Sequence, residues 1–210
     1  MADFRLYPDR TMCIVGPSHS GKTTFVRQLL DSRYDLFHEP TPRRIVWCYG
    51  TYQAEAHNEL RQKGYEMHSG IIDSKDIQPN DILVLDDLLN ESESSGHVTN
   101  MFVRAAHHKP CFVIFISQNL YPKGKDARTR ALNTHYYVLM KNPRDKAQIR
   151  TLAQQMMPQQ WRAFVESYED ATKQPHSYLF VDLTQECQDG QRLRSDLFQQ
   201  PMILYTLQSS

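Results

Sequence analysis

No run of strongly apolar residues in this 210-residue chain exceeds the six of 111–116, whereas a membrane-spanning helix needs roughly 18. Glycine and proline are sparse, at 8 and 11 residues, and no segment repeats, which excludes collagen-like, solenoid and low-complexity architectures. Net charge is absent as well, since 24 Lys and Arg face 24 Asp and Glu, so the chain is neither a basic nucleic-acid coat nor an acidic tail protein. The four cysteines, at 13, 48, 111 and 187, have no CxxC or metal-ligand spacing, and the first three lie in apolar runs. They read as reduced core residues rather than disulfide or zinc partners. The first ten residues carry Asp3, Arg5, Asp9 and Arg10 without an apolar centre, so they do not resemble a secretory signal, and the expected location is inside a cell.

What remains is an ordinary globular composition, 40% hydrophobic and 23% charged. Its length suits one domain of 1–210, with a core of about 11–170 and a C-terminal β extension of about 176–208. Short β-rich runs alternate with helical periodicity. Strands are expected at Thr11–Val15, 43–49, 81–85, 111–116 and Tyr136–Met140, and helices at 22–30, 53–63, 98–107, 144–157 and 159–168. The 111–116 run is apolar throughout, as a parallel strand buried on both faces requires. Near the C-terminus 178–183 and 202–207 read as a hairpin or sheet extension around the acidic turn 186–190. The alternation predicts an α/β fold with a mainly parallel sheet flanked by helices.

Gly16-Pro17-Ser18-His19-Ser20-Gly21-Lys22-Thr23 matches the phosphate-loop pattern GxxxxGK[ST] in full, between a strand and a helix, with Thr24 next. The glycines let successive amides turn toward phosphate oxygens, and the following helix presents its positive end to them. Lys22 is the candidate bridge between the β- and γ-phosphates of ATP, and Thr23 a Mg²⁺ ligand. Some sixty residues on, Ile82-Leu83-Val84-Leu85 leads into Asp86-Asp87, the pattern of a Walker B strand. Asp86 is the second candidate Mg²⁺ ligand, largely through water, and Asp87 the candidate general base. Ser117-Gln118-Asn119 closes the fourth strand, and Gln118 is the candidate γ-phosphate sensor, able to donate and accept at once.

The neutral total conceals a basic stripe. Lys123, Lys125, Arg128, Arg130, Lys141, Arg144, Lys146 and Arg150 face only Asp126 and Asp145, so 123–150 carries +6 and the rest of the chain −6. Such a stripe suits phosphate contacts. One of its arginines could serve a neighbouring subunit's nucleotide as a trans finger, Arg128 first and Arg130 second. The histidines lack metal-site spacing, and Trp47, Trp161 and Tyr136-Tyr137 fall in apolar-patterned elements and read as core.

Taken together, GPSHSGKTTF, ILVLDD, FVIFISQNL with KGKDARTRALN, HYYVLMKNPRDKAQIRTLAQQM, and HSYLFVDL with RLRSDLF resemble the genome-packaging ATPases of the FtsK and HerA superfamily encoded by polinton-like viruses, virophages and adintoviruses. The likeness runs over about 11–198, and KNPRDK is more specific than either Walker motif. The resemblance implies an additional-strand P-loop fold, with the Gln118 strand between the Walker A and Walker B strands. It also implies a homo-oligomeric ring, pentamer or hexamer, that hydrolyses ATP with Mg²⁺ and pumps double-stranded DNA into a capsid, docking on a capsid or portal vertex protein. By the same resemblance Gln118 is the sensor glutamine and an arginine of ARTR the inter-subunit finger, while Asp rather than Glu at 87 is similar to viral members. The length leaves no room for a terminase-type nuclease, so any end cutting is expected elsewhere. Two other readings stay open, a P-loop kinase of a small-molecule acceptor and a nucleotide-gated assembly module without rapid turnover.

Overall fold

A computed structural model describes residues 3–86, 88, 109–121, 131–199 and 201–206. Asp87, Lys123, Lys125, Arg128, Arg130 and the helix expected at 98–107 lie outside the described residues.

By Cα proximity the chain divides into two compact units, one of Met1–Cys13, Leu29–Ser117 and Pro122–Thr134, the other of Ile14–Gln28, Gln118–Tyr121 and His135–Ser210. The division cuts strand β1 (Thr11–Val15) after Cys13 and helix α1 (Lys22–Asp31) after Gln28.

The first unit contains β2 (Ile45–Tyr49), β3 (Glu66–Ser69), β4 (Ile82–Asp86) and β5 (Phe112–Ser117), with α2 (Arg33–Leu36) and α3 (Ala54–Gln62). Its strand order is β3-β2-β4-β5-β1, and the β3–β2, β2–β4 and β4–β5 pairs are parallel. The strand that ends just before Gln118 therefore stands between β4 and β1, the additional-strand order. β2 and β5 are buried along their whole length, and β4 up to Leu85, which is why these runs carry no polar alternation. On one face Val46, Cys48, Leu83, Leu85, Val113 and Phe115 form a core cluster. The other face carries Trp47, Val84, Asp86 and Ile114 by the period of two.

β2 begins at Ile45 rather than at residue 43. Arg44 is drawn into ion pairs, with Glu66 at 2.7 Å and with the buried Asp81 at 2.8 Å. β3 has no counterpart among the strands expected from sequence: Glu66-Met67-His68-Ser69 is mostly exposed and holds as an edge strand through its pairing with Val46–Tyr49.

The second unit has the order β1-β6-β7-β8-β9, with β6 (Tyr136–Met140), β7 (Tyr178–Asp182), β8 (Leu193–Ser195) and β9 (Ile203–Tyr205). The pairs from β6 to β9 are antiparallel. β7 and β9 do not pair with each other, as a simple hairpin would require, because β8 stands between them. β8 holds Arg194, 2% exposed, whose Nη2 donates to Asp182 Oδ2 at 2.8 Å. Asp182 Oδ1 accepts in turn from the Thr184 backbone N–H and hydroxyl. Helices α4 (Lys146–Met156) and α5 (Trp161–Ala171) contact each other, and α5 packs on β7. Asp145 caps α4 by accepting from Gln148 N at 3.2 Å.

Trp47, Tyr136 and Tyr137 are buried as expected. Trp161 is not a core residue. It is half-buried, with the Arg150 and Arg162 guanidiniums 4.7 and 4.8 Å from its ring centroid, because it opens α5 next to α4 instead of lying on a strand. All four cysteines are free; burial pushes the Cys48 thiol up to about 11 and that of Cys111 up to about 12, so both are unreactive at neutral pH.

Candidate phosphate-binding loop and acidic strand end

The loop between β1 and α1 lies wholly within the second unit. Gly16 is required by space: a Cβ there would stand 2.6 Å from Met140 Cβ and 2.7 Å from Ser20 Oγ. Gly21 has φ +100°, and His19 adopts φ 62°, so two residues of the loop take the left-handed backbone that turns it. Ser20 N donates to Pro17 O at 3.2 Å, and Phe25 N to Gly21 O at 2.9 Å, which starts the helix. α1 has no acidic residue in its first turn, so no side chain there opposes the positive end of its dipole. Lys22 Nζ donates to the carbonyls of Gly16 at 2.7 Å and Pro17 at 2.8 Å, closing the loop's mouth back on its start.

The Ser20 hydroxyl oxygen is buried, and among the described residues no group bonds to it. It lies where a Gly16 side chain would intrude. A buried hydroxyl left in this way is costly unless a ligand or water satisfies it. The Lys22 ammonium, the Ser20 hydroxyl and the helix start thus converge on one loop, a donor set for an anion. Thr23 is half-buried at the helix start and Thr24 exposed, while Pro17 is half-buried and Ser18 and His19 are exposed.

Elements far along the sequence build the wall of this loop, and sequence reasoning did not assign them to it. Met140 ends β6 and abuts Gly16, and its methyl carbon and the His176 Cβ would each lie 3.3 Å from a Gly21 Cβ. Tyr168 of α5 fixes that strand end: its hydroxyl donates to Met140 O at 3.0 Å and accepts from Asn142 N at 2.9 Å. The available signal was the segment 135–156 quoted above, whose KNPRDK begins one residue after Met140.

In the first unit β4 ends on Asp86, half-buried, in register with Tyr49 of β2 and Ile116 of β5. Asp86 Oδ2 accepts from Trp47 Nε1 at 3.3 Å, and its carbonyl from Gly50 N at 3.2 Å. Next to it Tyr49 packs on His57, ring centroids 4.2 Å apart. His57 Nδ1 accepts from Gln53 N at 3.3 Å, and burial holds the imidazole below its ordinary pKa of 6.5. Gln118 follows β5 directly and is exposed. Of the basic stripe, Lys146 pairs with Glu169 at 2.8 Å, Lys141 Nζ donates to Lys173 O, and Arg150 covers Trp161.

Among the described residues no group of three or more His, Cys, Asp and Glu could hold a metal ion. Mg²⁺ on a nucleotide commonly uses only one or two protein carboxylates beside the phosphates. No described helix is long and apolar enough to cross a membrane.

No family model and no curated protein matches the chain. Among solved structures, the cytoplasmic domain of the Thermomonospora curvata type VII secretion ATPase EccC is similar, with a TM-score of 0.48 at 11% identity, over 96% of this chain and 24% of that one. The chain thus spans about a quarter of that protein's length, and a likeness of this size leaves the functional reading to the residues themselves.

Proposed function

We propose that the chain is an ATPase that binds Mg-ATP at residues 16–24 and, as a homo-oligomeric ring, moves double-stranded DNA into a viral capsid. The loop carries this reading: Gly16 without room for a Cβ, Lys22 folded over two carbonyls, and the buried Ser20 hydroxyl without a partner among the described residues. The order of β4, β5 and β1, the +6 stripe and the family resemblance support the motor half of it.

In this reading the amides of the loop and Lys22 bind the phosphates. Thr23 and Asp86 would hold Mg²⁺, which would supply positive charge against the phosphates. Asp87 takes a proton from the attacking water, and Gln118 at the end of β5 orients that water and reports on the γ-phosphate. Arg128, or Arg130, reaches the nucleotide of the adjacent subunit. DNA is held through its backbone by the basic stripe, and a capsid or portal vertex protein anchors the ring.

Sedimentation of the purified protein with and without ATP and a duplex of a few tens of base pairs tests the assembly. The expected species has the mass of a pentamer or hexamer plus DNA. A monomer under all conditions, transferring phosphate to an acceptor other than water, would replace this reading by the kinase.

A further inference from the structure

Asp86 closes a strand whose same-face neighbours, Ile82 and Val84, are apolar and buried. A carboxylate at the end of such a row keeps one orientation only where donors hold it, and a buried donor in turn requires an acceptor. Trp47 meets both needs. It is 0% exposed, among the largest fully buried side chains, and sits on β2 opposite Val84, so Asp86 is its diagonal neighbour two residues on. That diagonal is about 7–8 Å between backbones in a sheet, which only a long or aromatic side chain crosses. The indole does so, with Nε1–H donating to Asp86 Oδ2 at 3.3 Å. Phe keeps an aromatic ring in this core but is smaller than the indole and has no N–H.

We infer that Trp47 is a positioning residue for Asp86: its indole N–H fixes the carboxylate at the end of β4 in the orientation from which it serves Mg²⁺. This rests on the nucleotide-binding reading above. The indole is neutral, so it orders the carboxylate without cancelling the charge that attracts the cation, as a Lys or Arg at this position would. Outer partners of metal ligands typically change metal affinity by about 10–100-fold when removed.

The full chain carries only two tryptophans, Trp47 and Trp161, so a Trp161→Phe background isolates the fluorescence of Trp47. In that background, saturating a fluorescence-silent ATP analogue in EDTA and then titrating Mg²⁺ should shift Trp47 emission, and Asp86→Asn should abolish the shift. In the otherwise native protein Trp47→Phe should weaken the Mg²⁺ dependence of analogue binding at least tenfold while leaving binding in EDTA within twofold. Trp47→Phe with unchanged Mg²⁺ dependence overturns the assignment, as does loss of EDTA binding in parallel, which marks a packing role. If Trp47→Phe does not fold, the emission shift decides: absence of a Mg²⁺ response on nucleotide-loaded protein overturns it. A protein that binds no nucleotide overturns both this assignment and the reading it rests on, whereas nucleotide binding with a Mg²⁺-silent Trp47 overturns this one alone.

Discussion

Around Gly16 the chain is held by exclusion. Met140 and Ser20 stand where any side chain would be, two residues of the loop take left-handed backbone, and Tyr168 fixes Met140 from behind. Around Asp86 the chain is held by attachment, since the strand is an unremarkable buried run and an indole N–H bonds its last side chain. Steric exclusion tolerates almost no change in volume but is indifferent to hydrogen-bond chemistry, whereas a single donor is the reverse. A phosphate loop must present many amides at once, which demands a fixed backbone path. A metal ligand must present one carboxylate, which demands only a fixed rotamer.

The largest effects are expected at the loop. Lys22→Ala should reduce ATP binding or hydrolysis by at least about a hundredfold, measured with a fluorescent analogue and by phosphate release. Gly16→Ala should match it, and Met140→Ala should fail to rescue it, because the nearest clash is with the Met140 Cβ that alanine retains. Rescue by Met140→Ala would show that the loop is not held by exclusion. Next in size is the ion pair of the second unit. Asp182→Ala leaves Arg194 buried and should cost about 3–5 kcal/mol in denaturant unfolding, while Asp182→Asn, which keeps an acceptor, should cost less.

Tyr168→Phe removes a hydroxyl that serves both Met140 O and Asn142 N, and should cost about 1–3 kcal/mol of stability. Nucleotide affinity should fall with it, since the wall behind Gly16 is loosened; unaltered affinity would separate that wall from the loop. The smallest effect concerns pH. His57 has its pKa held below 6.5 by burial, so the unfolded chain takes up a proton first as pH falls. Its contribution to stability is complete above about 6.5 and declines below it, by at most about 1.4 kcal/mol per pH unit, until the folded pKa is passed. His57→Gln should flatten the unfolding midpoint against pH between 6.5 and 5. An unchanged slope would place the dependence elsewhere.

The elements legible in the sequence are those whose local pattern and tertiary role agree. Tyr136–Met140 forms over the expected residues, and β4 and β5 differ from expectation by one residue at each end, because a run buried on both faces has no other use. β3 was not legible: an exposed Glu-Met-His-Ser edge strand exists through its partner β2 and through Arg44, neither of which lies near it in sequence. Nor was β8, where a buried arginine stands at the centre of a three-residue strand and reads as loop until Asp182 is placed against it. Of the candidate site, the placement of 16–24 between a strand and a helix and of Asp86 at a strand end was legible by motif. Met140, His176 and Trp47 were not, since each acts on a motif residue more than thirty positions away, and Tyr168 was not because it reaches Gly16 only through Met140; all four would serve equally well as core in another fold. Trp161 failed for the opposite reason: apolar patterning in its helix suggested burial, but its position at the first residue of α5 leaves it beside two arginines.

The most direct measurement is the steady-state release of phosphate from Mg-ATP by the full chain, with and without duplex DNA, beside Lys22→Ala. Turnover should rise severalfold with DNA and disappear in Lys22→Ala. Absence of phosphate release in both conditions from protein that assembles and binds ATP would contradict the proposed activity.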